Sequence, residues 1–242
     1  MNLPDLSAQL ESELAWRQEE IRFFQNRGTM LLKTAEQDQY RRAVVLVLYA
    51  HFEGFCKFAF DLYRTAVNGE HVACYEASPA IAAAGWARLF KELRDPTTKC
   101  AEFRYSLPDD GKLHRFARDR EFMERSVEFS RLPVTIPDDF VDTESNLKPV
   151  VLRKILYRLG LPHDQFSAHE GKIDRLLRVR NKISHGESRS GVKALDYEEL
   201  RTIVFQIMED IKRQVIESLR QGHFRRPTAS GPHPAVAEPL WG

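Results

Sequence analysis

Apolar residues recur every three or four positions along most of this chain and almost nowhere at every second one. Leu6, Leu10, Leu14, Ile21 and Phe24 define a first helix ending near Gly28. A second helix is predicted over 38–67. Its stretch 42–60 is apolar on nearly all sides, as a central core helix would be, and Asn68-Gly69 supplies turn chemistry at its end. Pro79 opens a third helix reaching Arg94. From 95 to 143 the pattern dissolves, interrupted by Pro96, Pro108, Gly111, Pro133 and Pro137. This region reads as an irregular insertion with one short helix over 113–125, and Leu132 to Ile136 is the only strand candidate. Leu147, Val151, Ile155 and Leu159 then mark a helix capped by Ser145 and stopped by Gly160. Ser167 with Glu170 forms a capping-box pattern for a helix that closes at Gly186. Asp196 with Glu199 makes a similar start for the last helix, striped by Leu200, Val204, Ile207, Ile211, Val215 and Leu219. The expectation is a single all-α domain over 1–223, followed by a Pro-, Ala- and Gly-rich tail over 224–242. That tail is expected to be flexible, or to act as a docking peptide around Trp241.

Composition narrows the partners. With 36 Lys and Arg against 35 Asp and Glu, the chain has no global field to attract nucleic acid, so any RNA contact must use a local basic patch. The N-terminus is acidic where a signal peptide is basic and has no apolar core of its own. The richest apolar run, 43–50, is followed at once by His51 and Glu53, far short of the roughly 20 apolar residues of a membrane span. The expected location is therefore the cytoplasm, without a membrane partner. Cys56, Cys74 and Cys100 are few, odd in number and widely spaced, which fits that compartment.

The helix predicted to end at Gly186 carries the chemistry. Ile173, Leu176 and Leu177 define its buried face, and at about 100° per residue Arg180 falls within that face. A buried arginine needs partners, because an unpaired charge there is costly. Ser184 lies one turn on, on the same side, and His185 stands at the helix C-terminus, where the macrodipole favours cations. Arginine matches two phosphate oxygens with its planar fork. Histidine passes protons near neutral pH, as a base to a 2′-hydroxyl or an acid to a 5′-oxygen. Together they suit RNA cleavage without a metal, and DNA lacks the nucleophile.

The pattern RxxxxH, here Arg180-Asn181-Lys182-Ile183-Ser184-His185, resembles the signature of the HEPN superfamily. It stands late in an all-helical domain, before a final long helix. VLVLYAHFEGFCKFAF at 45–60 and ESNLKPVVLRKILYRLGL at 144–161 resemble the bacterial MAE-type HEPN-like nucleases. The resemblance covers roughly 38–67 and 144–220. It implies an HEPN-like helical bundle and an endoribonuclease, often in phage defence or toxin–antitoxin settings. It also implies a homodimer whose two motifs share one composite site, with an antitoxin or defence-system protein as a further partner. Carried over by position, Arg180 and His185 become the catalytic pair. Asn181 matches the polar position that often follows the arginine, and Glu53 matches an acidic position that orients the Arg or His.

Plainer roles compete. Arg180 could be a core arginine paired with Glu53, Glu53 could pair with Lys57 four residues on, and His185 could be a helix cap. The basic run Arg178, Arg180, Lys182, Arg189 and Lys193 could contact an RNA backbone or be a solvated face. His71 with Cys74 and His51 with Cys56 bring a metal to mind, but no second close ligand pair follows, so no metal and no cofactor is expected. The alternative function is a non-catalytic helical module that uses the same Arg and His to bind a nucleotide or a partner protein.

Overall fold

The computed structural model describes residues 2–95, 97, 99, 100, 102, 110–187 and 189–227. Among these the α-helices are α1 Leu3–Thr29, α2 Thr34–Gly69, α3 Pro79–Gly85, α4 Ala87–Arg94, α5 Gly111–Arg131, α6 Pro149–Arg158, α7 Glu170–Ser184 and α8 Ala194–Arg220. Two one-turn 3-10 segments, Asp138–Phe140 and Ser167–His169, complete the helical set.

The all-α expectation holds, and α2 lies at its centre. It packs against α1, α7 and α8, burying Phe52, Phe55, Phe60 and Tyr63 completely. Each large side chain withdrawn from water in this way contributes roughly 1.5–3 kcal/mol. The apolar stripes read from α1 and α8 face it: Leu6, Leu10, Leu14 and Ile21 from one, Leu200, Val204, Ile207, Ile211 and Val215 from the other. One expectation needs correction here. By length and composition α2 is apolar enough to cross a membrane. Within the bundle 56% of its most apolar window is buried against the other helices.

Local details depart from the sequence reading where distant groups compete for the same atoms. The predicted 79–94 helix breaks at Trp86 into α3 and α4. The short helix of the insertion is a 21-residue one, opened by Asp110, whose carboxylate accepts the Lys112 and Leu113 N–H groups. The strand candidate forms a single bridge, Ala73 to Pro133, because the N–H groups that would extend it go elsewhere: Tyr75 to the Ser130 carbonyl and His71 to the Asn68 carbonyl. Asn68 does more than end α2: its side-chain amide both donates to and accepts from the Ile136 backbone, at 3.0 and 2.8 Å.

The expected helix caps fail in the same way. α6 starts at Pro149 rather than after Ser145, which sits in a left-handed turn. Ser167 belongs to a 3-10 turn, and α7 starts without a side-chain cap. Asp196 and Glu199 do not cap α8, because both bind Arg175 of α7. At the other end of the chain, residues 224–226 are held against 76–78. The Ser78 N–H donates to the Phe224 carbonyl and the Arg226 N–H to the Glu76 carbonyl, at 2.8 and 2.7 Å, and Phe224 is buried. The expected tail from 228 onward lies outside the described residues.

Candidate active site

The last turn of α7 ends in a left-handed glycine. Gly186, at φ +71°, sends its N–H back to the Ile183 carbonyl, and Glu187 reaches the Lys182 carbonyl at 2.9 Å. A residue with a Cβ is strained in this conformation, so glycine is the natural stop. The stop leaves His185 as the C-cap residue, exposed to solvent. Its side chain has no partner among the described residues. The C-cap alternative for His185 is thus met by its backbone alone, and the imidazole is free for other chemistry.

Arg180 is half-buried one turn earlier. Neither of the plainer pairings, Arg180 with Glu53 or Glu53 with Lys57, is formed among the described residues. Instead Nη1 of Arg180 donates to Oδ1 of Asn146 at 3.1 Å and to Oδ1 of Asn181 at 2.8 Å. The guanidinium lies over the Tyr49 ring, 4.8 Å from Cζ to centroid, at cation–π distance. Nε and Nη2 have no partner among the described residues.

Tyr49 is the hub that neither motif spacing nor composition singled out. It is buried on α2, and its hydroxyl accepts the Leu147 N–H at 2.8 Å. Burial pushes its pKa up to about 12, and the charge of the neighbouring Glu53 carboxylate adds to the rise. The phenol therefore stays neutral and available as a hydrogen-bonding group. Tyr49 thus has Arg180 against its ring and the Glu53 charge near its hydroxyl. The spacing could have disclosed this, since Tyr49 and Glu53 are four apart on one helix face. Asn146 could not have been found so easily, because it reaches Arg180 only through the turn at 143–146.

The other site candidates separate cleanly. Asn181 joins Arg180 through its side-chain oxygen. Ser184 is exposed and bonds to none of these groups among the described residues. Of the basic run, Arg178, Lys182 and Arg189 are exposed and unpaired among the described residues, and Lys148 beside Asn146 joins them. Lys193 leaves the set, because Nζ is bound to Asp38 at 2.5 Å. The others are exposed cations on a chain of net charge +1.

Compared with known families, residues 12–217 match RiboL-PSP-HEPN. The chain belongs to the RiboL-PSP-HEPN family. The match runs from α1 into α8, and its bounds enclose the 95–143 region. HEPN domains are in general nuclease-type modules, commonly associated with ribonuclease activity. Neither the curated proteins nor the solved structures compared with the chain gave a match.

Proposed function

We propose that this RiboL-PSP-HEPN chain is a metal-independent endoribonuclease, acting in the cytoplasm in phage defence or a toxin–antitoxin system. The observation that supports it is the pairing on one helix end of a held arginine, with an open Nε–Nη2 edge, and an exposed histidine. In the reaction the RNA 2′-oxygen attacks the adjacent phosphorus and the bond from phosphorus to the 5′-oxygen breaks. The hydroxyl proton passes to a base and the leaving oxygen takes up a proton. The products are a 2′,3′-cyclic phosphate and a 5′-hydroxyl. Arg180 carries the charge of the phosphorane and His185 moves a proton, so the balance needs no metal. Exposed Lys148, Arg178, Lys182 and Arg189 supply backbone contacts on either side.

Purified protein incubated with total RNA in EDTA is expected to yield fragments ending in cyclic phosphate, with DNA of the same sequence untouched. Complete inhibition by EDTA would overturn the metal-free reading. No cleavage under any condition would favour the non-catalytic nucleotide- or protein-binding module.

The reaction gains from both a base and an acid, yet one chain offers one motif histidine. In an ideal helix His185 also points about 140° away from Arg180. A symmetric homodimer would bring two copies of each residue to a composite site. Mixing inactive Arg180→Ala and His185→Ala chains should then restore part of the activity. Sedimentation of an active monomer at working concentration would end the dimer reading. An antitoxin or defence-system protein that silences the site belongs to the same proposal.

A further inference from the structure

We infer that Asn146 and Tyr49 are positioning residues that hold Arg180 by one amino group and one face, so that only its Nε–Nη2 edge meets a phosphate. The inference rests on the nuclease reading and specifies how its arginine is aimed.

The guanidinium has five N–H donors and no acceptor. Two oxygens, Asn146 Oδ1 and Asn181 Oδ1, converge on Nη1 and match its two N–H groups. Because arginine can only donate, both amides must turn their oxygens toward it. The remaining donors, Nε and Nη2, form the side-on fork that spans two phosphate oxygens. The Arg180 Cζ lies over the Tyr49 ring, 4.8 Å from its centroid. Tyr49 is itself fixed by the Leu147 N–H, which belongs to the same short segment as Asn146. Two elements, α2 and the 143–148 segment, thus grip one side chain of α7.

The segment that presents Asn146 is strained. Glu144 and Ser145 stand in succession at φ 52° and 60°, and the Asn146 N–H closes the turn onto the Thr143 carbonyl at 3.0 Å. Residues with a Cβ are strained in this region, and such conformations persist only where the surroundings over-determine them. Here the Lys154–Glu144 ion pair at 3.0 Å and the Tyr49 hydroxyl bond hold the turn. Its product is the approach of the Asn146 oxygen to Arg180.

The test combines a spectroscopic and a kinetic reading. Nitrogen-15 NMR of the Arg180 guanidinium, assigned with Arg180→Lys, should show hindered rotation of Nη1 in the wild type. Asn146→Ala should release it, and Asn146→Asp, which keeps the acceptor oxygen, should preserve it. In RNA cleavage Asn146→Ala should lower kcat by about 10- to 100-fold with KM little changed, the cost of a misaimed group. Unchanged rotation in Asn146→Ala, or a kcat equal to that of the wild type in this variant, would overturn the inference. A wild-type protein that cleaves no RNA would overturn the nuclease reading instead, and the Nη1 rotation would still decide whether Asn146 holds Arg180.

Discussion

Replacing His185 by alanine is expected to abolish RNA cleavage while leaving the fold intact. The loss should be about 10²–10⁴-fold, the usual contribution of a positioned proton-transfer group. The imidazole is exposed and bonded to nothing among the described residues, so its removal opens no cavity and orphans no partner. The cap of α7 depends on the backbone, where the His185 N–H donates to the Asn181 carbonyl at 2.9 Å, and alanine keeps that bond. Thermal stability should therefore shift by no more than a surface substitution allows, about 0.5 kcal/mol. Arg180→Lys should be nearly as inactive for a different reason. A lysine ammonium is a point charge, unable to satisfy Asn146 and Asn181 while presenting two parallel N–H groups to a phosphate. Rates of cleavage of a defined RNA, paired with melting temperatures for each variant, separate chemistry from folding. A His185→Ala protein that cleaves at the wild-type rate would remove His185 from the mechanism.

The largest expected effect on stability comes from Gly191→Ala. The loop from Gly186 to Lys193 carries the chain from His185 to α8, and it is tied to the start of α2. The Val192 N–H donates to the Asp38 carbonyl at 2.8 Å, Arg41 Nε donates to the Val192 carbonyl at 3.0 Å, and the buried Asp38 carboxylate binds Arg41 and Lys193. These bonds hold the Asp38 carboxyl below the usual carboxylate range, chiefly the one from Lys193 and then that from Arg41. The loop can come this close only because position 191 has no side chain. A Cβ there would lie 2.4 Å from Asp38 Cβ, 2.6 Å from its carbonyl carbon and 2.9 Å from its carbonyl oxygen. These atoms are backbone or bound to it, so they cannot swing aside. Overpacking of this kind costs about 1–3 kcal/mol or more. At about 2–4 °C per kcal/mol for a chain of this size, the melting temperature should fall by several degrees or more. Gly171→Ala is the control, since nothing lies within 4 Å of its Cβ position. Equal melting temperatures for the two variants would show that the loop yields at no cost.

Helix positions were legible because burial imposes a period. Leu6, Leu10 and Leu14, or Leu200, Val204 and Ile207, can reach one core only if the chain turns once every 3.6 residues, and the pattern survives in the order of letters. Stops were legible for a related reason. Gly160 and Gly186 adopt left-handed backbone where other residues strain, so a helix end leaves a local mark. Starts were misread at Ser145, Ser167 and Asp196. A capping side chain has alternatives, and Arg175, distant in sequence, takes both Asp196 and Glu199. The 95–143 region hid its long helix because α5 buries only His114 completely and so shows little apolar period.

The motif Arg180 to His185 could be read from the chain because its members share one helix, where spacing is geometry. The same holds for Asn181, which reaches Arg180 as its neighbour, and for the helix stop that leaves His185 exposed. The remainder of the site was decided by tertiary structure. Glu53 was a candidate to orient Arg180 or His185, and the packing of α2 on α7 sets Tyr49 against Arg180. Asn146 reaches Arg180 across 34 residues of sequence, through a turn whose left-handed residues carry no glycine to announce them. Lys193 left the basic patch because folding brought Asp38 to it. Period and helix ends follow from forces along the chain. Which groups neutralise or aim a charge depends on distances across the fold, and no local pattern encodes those.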